Sequence, residues 1–169
     1  RRQITAAETS ELLQKIREIH PEIKLRTTFL VGFPGETQED HKALCRFVKQ
    51  AKFDRVGVFE YSHEEGTRGY VLEDDVPAEV KKQRAEEIMA IQQSISLAHN
   101  EAMIGKTLKV LIDRKEGGQY VGRSEYDSPE VDNEIWIDQT DKKLTPGSFV
   151  MVLITGASDY DLKGIPITK

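Results

Sequence analysis

The fold is decided by one stretch, Arg26-Thr27-Thr28-Phe29-Leu30-Val31-Gly32-Phe33-Pro34-Gly35-Glu36-Thr37. Residues 24–31 are short, β-branched and increasingly apolar, as expected of a strand, and residues 32–35 are turn formers. Thr37, with Asp40 three positions later, is a capping pattern that begins a helix. The stretch therefore predicts a strand, a tight loop and a helix in direct succession.

The same alternation extends to both sides of this stretch. Thr5 and Glu8 form a second capping pattern before a helical repeat, and residues 55–61 form a second strand pattern. This alternation of helices and strands is typical of α/β folds, whose strands are normally parallel. Two strands alone leave unpaired edges, so we expect a slice of a larger α/β sheet or barrel rather than a small open sheet.

In the second half of the chain, the spacing of apolar residues changes from that of a helix to that of strands. A long helix is predicted over about residues 77–103, and from residue 106 apolar and polar residues alternate. Further strand-like runs cover residues 120–124, 134–138, 149–155 and 160–167. Five short strands predict a small antiparallel barrel of the oligonucleotide-binding type, so we expect one α/β domain over residues 1–101 and one all-β domain over residues 102–169.

Composition excludes some classes of protein. The chain has 169 residues, with 24 Lys and Arg against 29 Asp and Glu, and its formal net charge of -5 lacks the basic excess that favours nucleic acid. No apolar run approaches the roughly 18 residues that cross a bilayer, which predicts a soluble cytoplasmic protein. The sequence opens on Arg1-Arg2-Gln3 directly before a helical pattern, which predicts a piece of a longer protein.

Metal-binding and nucleophilic residues are sparse. Cys45 is the only cysteine, which excludes an internal disulfide and any cluster held mainly by thiolates of this chain. It lies between Leu44 and Phe47 on the apolar side of a predicted helix, where a free cysteine behaves as a small hydrophobe. Four scattered histidines show no Glu or Cys partner at ligand spacing, so we expect no metal ligand and no catalytic residue among them. These are His20, His41, His63 and His99.

The positions of glycine and proline in the loop over residues 32–35 allow two interpretations. Glycines after a parallel strand allow a ligand to approach the backbone at the carboxyl edge of a sheet, but glycine and proline also occur in most ordinary turns. It is not a phosphate loop, because the required Lys-Ser/Thr pair is absent. Spacing alone favours the ordinary turn.

Two motifs carry a resemblance to a known family. Residues 26–37 closely resemble the fifth-strand motif of the radical S-adenosylmethionine methylthiotransferases, and Val56-Gly57-Val58-Phe59-Glu60-Tyr61-Ser62, followed by Glu65-Gly66-Thr67, resembles their sixth-strand motif. Arg1-Arg2 resembles the residues that the family places after its fourth strand. The resemblance implies that the first domain is the C-terminal slice of a radical S-adenosylmethionine partial (β/α) barrel.

The resemblance also implies a cofactor site. The ends of the two strands line the adenosyl part of S-adenosylmethionine in this family, which makes five residues candidates for that contact. These are Val31, Gly32, Phe33, Phe59 and Tyr61. Simple core packing is an equal alternative for Phe59 and Tyr61. The family also uses two [4Fe-4S] clusters, one of them held by a CxxxCxxC triplet, and this chain has neither set of cysteines, so we expect it to be inactive alone.

The second domain carries an unusual concentration of acidic residues. Residues 102–169 contain 9 Lys and Arg against 11 Asp and Glu, and residues 125–138 hold six carboxylates with no Lys or Arg among them. Such a segment repels a phosphate backbone and attracts a basic partner. A solvated acidic loop that merely keeps the barrel soluble is the alternative.

The amino-acid sequence of this segment resembles one branch of the family. Residues 122–132 resemble the RimO-type enzymes, and the barrel resembles their TRAM domain. This resemblance implies an enzyme that methylthiolates the β-carbon of an aspartate in a basic small-subunit ribosomal protein. The predicted docking residues are Glu125, Asp127, Glu130 and Asp132. A tRNA methylthiotransferase and a free-standing RNA-binding module are the alternatives, and the acidic segment argues against both.

Overall fold

The computed structural model describes residues 4–129, 131–138 and 143–167, and the chain divides into two compact units, Arg1–Gln92 and Gln93–Lys169. The first unit ends within the long helix that the sequence predicts over residues 77–103. The domain boundary expected after residue 101 stays a prediction. Within the described residues, no helix combines the length and the apolar character needed to cross a membrane.

The first unit alternates helices and strands in the predicted order. Its elements are α1 (Ala6–Ile19), β1 (Arg26–Val31), α2 (Gln38–Ala51), β2 (Arg55–Glu60) and the first part of α3 (Ala78–Glu101). Both predicted capping boxes form at the starts of α1 and α2. The two strands pair in parallel, with Arg26 opposite Arg55 at one end and Val31 opposite Glu60 at the other. The α/β prediction is confirmed.

An aromatic cluster joins β1 to α2 in the first unit. The rings of Phe29, Phe47 and Phe53 meet edge to face, with centroids 5.8–6.3 Å apart. This is a preferred geometry for aromatic pairs because the positive ring edge faces the negative ring face. Val31 and Val48 are fully buried in the same unit. The strand ends are therefore held by packing on the side that faces α2.

The second unit is a closed barrel of five strands. Its strands are β3 (Thr107–Glu116), β4 (Gln119–Ser124), β5 (Ile135–Ile137), β6 (Phe149–Ala157) and β7 (Leu162–Pro166). They follow the order β3-β4-β5-β7-β6 around the ring, and β6 closes on β3. The five-stranded barrel is confirmed, although it is mixed rather than antiparallel because β5 and β7 run parallel. An odd number of strands cannot alternate in direction all the way round a closed ring.

Barrel closure requires bends and close backbone approach. Register shifts interrupt β3 between Ile112 and Arg114 and β6 between Ile154 and Gly156, as expected where a strand must curve. A Cβ on Gly122 would lie 2.3 Å from the Leu111 carbonyl oxygen, so β4 can lie this close to β3 only with glycine there. The interior is filled by apolar side chains. Its buried members are Val110, Ile112, Tyr120, Ile135, Ile137, Val152, Ile154 and Leu162.

Truncating one of these interior side chains tests the barrel assignment. Ile112→Ala is expected to lower the free energy of unfolding of the barrel by about 2–5 kcal/mol, because Ile112 is fully buried and its loss leaves a cavity. Urea unfolding followed by the fluorescence of Trp136, the single tryptophan and a β5 residue, reports on this unit. Met151→Ala, on the exposed face of β6, is the control and should cost much less. Equal losses would contradict the assigned inside of the barrel.

Candidate functional site

A buried ion pair between Glu36 and Arg84 of α3 stabilises the loop after β1. The Gly32 amide donates to Glu36 Oε2 over 2.7 Å, and Arg84 NH1 on α3 donates to Glu36 Oε1 over 3.0 Å and to the Glu36 carbonyl over 3.1 Å. The side chains of Arg84 and Glu36 are only 7% and 14% exposed. Their mutual pairing offsets the cost of burying both charges. The Gly32 amide is therefore already engaged within the protein.

A second cation from α3 supports the end of β2. Lys81 Nζ lies 2.7 Å from both carboxylate oxygens of Asp74 and donates to the Tyr61 carbonyl over 3.3 Å. A Cβ at position 32 would lie 2.3 Å from Lys81 Cγ, and Gly32 has a φ of +72°. Glycine is thus required here by the close approach of Lys81 and by a backbone conformation that side chains disfavour.

The five predicted cofactor residues fall into two groups. Val31 and Gly32 are buried, and the Val31 carbonyl accepts from the Tyr61 amide over 2.8 Å. Phe33 and Phe59 are 41% and 64% exposed, and the half-buried Tyr61 meets the Phe33 ring at 5.1 Å with an interplanar angle of 71°. The structure therefore brings Phe33 and Tyr61 together and leaves Phe59 exposed on the sheet.

One residue that the sequence did not single out lies beside them. Leu30 is 50% exposed and stands opposite Phe59 in the register of β1 and β2. Strand alternation separates Leu30 from the buried Val31 and was the available signal. Leu30, Phe33 and Phe59 offer apolar surface that suits an adenine face, whereas Val31 and Gly32 could contribute only backbone atoms. The residues present thus fit the adenosyl part of S-adenosylmethionine.

The expectation that His41 lacks a Glu or Cys partner is wrong, while the expectation of no metal ligand stays a prediction. This residue and Cys45 lie one helical turn apart on α2, and His41 Nε2 donates to Glu87 Oε2 on α3 over 2.7 Å while Cys45 Sγ lies 3.5 Å from the same nitrogen. His41 therefore has both a Cys and a Glu partner within ligand distance. The i, i+4 spacing of His41 and Cys45 was visible in the sequence, but Glu87 comes from a distant helix.

The buried face of α3 is largely polar. The sequence predicts packing by Val80, Ile88, Ile91, Ile95 and Ala98, but of these only Ile88 is fully buried. The buried stripe instead consists of Lys81, Arg84, Ile88, Gln92, Ser96 and Asn100. Two of its polar members have backbone partners: Gln92 donates to the Phe53 carbonyl within the first unit, and Asn100 donates to the Ser158 carbonyl within the second. Hydrophobic periodicity could not find this stripe.

The predicted docking residues differ in their surroundings. Glu125 is exposed, whereas Asp127 accepts from the Ser124 hydroxyl over 2.6 Å and Asp132 accepts from the Ser128 amide over 2.7 Å. Glu130 lies outside the described residues. Asp127 and Asp132 thus shape the segment in addition to carrying charge, and Glu125 is the most direct probe of a purely electrostatic role.

Glu134, in the same acidic segment, forms an ion pair. Arg114 donates to its two oxygens over 2.6 and 2.9 Å, and Arg114 also donates to Glu116 over 2.8 Å. The hydrogen bonds from Arg114 lower the pKa of Glu134 below its usual value of 4.5. The bidentate geometry links β3 to the start of β5, so this carboxylate is a structural element of the barrel.

Comparison with known proteins defines the class. Residues 104–167 match the TRAM domain family, so the described barrel is a TRAM domain. Three relatives are called ribosomal protein uS12 methylthiotransferase RimO. They come from Christiangramia forsetii (51% identical over 99% of this chain), Flavobacterium johnsoniae (50% over 98%) and Porphyromonas gingivalis (52% over 96%). Over the portion that it spans, this chain belongs to the RimO-type methylthiotransferases. It covers 37–38% of the length of these relatives.

The ion pair of Glu134 predicts a pH dependence. Because the pKa of Glu134 is lower in the folded than in the unfolded state, the pair stabilises the barrel above pH 4.5 and this contribution disappears as the pH falls through the lower, folded-state value. Glu134→Gln should therefore lower the urea midpoint at pH 7, and its difference from the parent chain should shrink as the pH falls through the lowered, folded-state pKa of Glu134. Trp136 fluorescence measures both, with Glu125→Gln as the control. A difference that is constant with pH would contradict the role of the pair.

Proposed function

We propose that this chain is the cofactor-facing and substrate-docking part of an enzyme that methylthiolates the β-carbon of an aspartate in ribosomal protein uS12. The observation that carries this proposal is the 50–52% identity, over 96–99% of the chain, to proteins named uS12 methylthiotransferases. The chain spans little more than a third of those relatives, so the activity is proposed for the longer protein.

The proposed chemistry requires groups that this chain does not hold by itself. S-adenosylmethionine and two [4Fe-4S] clusters would supply the radical and the sulfur. Cys45 is the only cysteine in the sequence, so the cluster ligands must come from elsewhere in the longer protein. The chain alone is accordingly expected to be inactive.

The strand ends would orient the adenosyl group. Phe33, Phe59 and Tyr61 would offer aromatic surface to the adenine. Val31 and Gly32 would offer backbone atoms other than the Gly32 amide, which Glu36 already engages. The loop that carries Gly32 and Phe33 is braced by Glu36 and Arg84, whose hydrogen bonds hold it before any ligand arrives. A preformed loop lowers the ordering cost of binding.

The acidic segment of the barrel would dock the substrate. Glu125, Asp127, Glu130 and Asp132 would attract a basic protein, and their net negative charge disfavours an RNA backbone. Exposed Glu125 would act by charge alone, while Asp127 and Asp132 would also keep the segment in shape through Ser124 and Ser128. Electrostatic docking of this kind weakens as salt rises.

Replacing an exposed aromatic residue tests the cofactor role. In the full-length protein, Phe59→Ala should raise the KM for S-adenosylmethionine by about 5- to 150-fold, because stacking of a base on an aromatic ring contributes about 1–3 kcal/mol. The rate is measured as the mass gain of a uS12 peptide that contains the modified aspartate. Phe149→Ala is a matched control, since Phe149 is 63% exposed but lies in the barrel. No mass gain with the unaltered protein would overturn the proposed activity itself.

Charge reversal tests the docking role. Glu125→Lys should weaken uS12 binding several-fold at low salt and less at moderate salt, and it should leave the urea midpoint of the barrel unchanged because an exposed charge contributes little to stability. Glu22→Lys, an equally large charge change at an exposed site in the first unit, is the control. A tRNA anticodon stem-loop is titrated in parallel. Tighter binding of the RNA than of uS12 would move the substrate to the tRNA-modifying branch.

A further inference from the structure

Three different metal-binding side chains converge at one point between α2 and α3. His41 Nε2, Cys45 Sγ and a carboxylate oxygen of Glu87 all lie within 4.8 Å of one another. A simple ion pair between His41 and Glu87 does not require a thiol at the same imidazole nitrogen, yet Cys45 Sγ lies 3.5 Å from it. From this convergence we propose that His41, Cys45 and Glu87 bind a zinc ion, with water as the fourth ligand.

The separation of His41 and Cys45 fits a small tetrahedral ion, and Glu87 is free to adjust. Zinc bonds of about 2.0–2.3 Å place neighbouring ligand atoms about 3.3–3.8 Å apart. His41 Nε2 and Cys45 Sγ already have such a separation at 3.5 Å, whereas His41 Nε2 and Glu87 Oε2, at 2.7 Å, must separate by less than about 1 Å. Glu87 can make this movement, because its side chain is 44% exposed and flexible.

The donor set selects the ion. One nitrogen, one sulfur and one oxygen suit zinc, whereas magnesium and calcium prefer oxygen alone. A thiolate and a carboxylate together match the two positive charges of the ion. His41 is 2% exposed, so its ring is fixed by packing, and the exposed carboxylate of Glu87 provides the route of entry. Binding would join α2 to α3 within the first unit.

One feature limits the expected affinity. The other ring nitrogen of His41, Nδ1, is buried without a hydrogen-bond partner among the described residues. Ligating histidines normally donate this second N–H to a carboxylate or carbonyl, and loss of that partner costs about 10–100-fold in affinity. We therefore expect weaker binding than at a fully supported structural zinc site.

Cobalt is the probe that tests this site. Because Cys45 is the only thiol, thiolate-to-cobalt charge-transfer absorption can come from no other residue of this chain. One equivalent of Co²⁺ should produce the band, and added Zn²⁺ should remove it. Cys45→Ser should abolish the band. Glu87→Gln, which keeps an oxygen acceptor for His41 and so preserves the packing, should weaken Co²⁺ binding at least about tenfold, since a lost ligand costs no less than a lost outer partner.

The neighbouring glutamate provides a matched control. Glu86 is exposed on α3 next to Glu87, so Glu86→Gln makes the same change of charge away from the three ligands and should leave Co²⁺ binding unchanged. Circular dichroism checks that each variant is folded. Three results would overturn the proposal: no charge-transfer band, a band equally strong in Glu87→Gln, or equal weakening by Glu86→Gln. The last two would show a thiol that binds cobalt without the carboxylate, or a general effect of charge.

Discussion

A buried charged side chain is costly unless it is paired, and this constraint organises much of the structure around α3. Burying such a group without a hydrogen bond costs more free energy than most single contacts contribute. Lys81 pairs with Asp74, which lies in the segment after β2. Arg84 pairs with Glu36, which lies in the loop after β1. The loop conformation after β1 is therefore a consequence of how α3 buries its charges.

The same constraint separates structural from interactive residues in the proposed sites. Engaged groups such as the Gly32 amide and the Glu134 carboxylate hold the protein together, whereas Leu30, Phe59 and Glu125 are exposed. Leu30 and Phe59 are neighbours in the sheet, and contiguous exposed apolar surface is typical of sites that bind another molecule or another part of a protein. The side-chain contacts proposed for Phe59 and Glu125 accordingly rest on exposed residues, supported by neighbours whose hydrogen bonds are already made.

The sequence predicted the local elements well and their tertiary partners poorly. Capping boxes placed the starts of α1 and α2, and alternation placed all five barrel strands, because both signals lie within a few neighbouring residues. The polar stripe of α3 and the meeting of Cys45 with Glu87 were missed. Both depend on residues that are far apart along the chain, and neither leaves a local pattern.

The sequence by itself determined the α/β order of the first unit, the five strands of the second and the family resemblance, since periodicity, capping and motifs are properties of contiguous residues. Only the tertiary structure decided which strand pair of the barrel is parallel, because closing an odd-numbered ring is a condition on all five strands together. It also decided which acidic residues are engaged and which are exposed. Glu125 and Glu134 look alike in the sequence, but Glu134 is the one that accepts hydrogen bonds from the Arg114 guanidinium, which folding brings beside it.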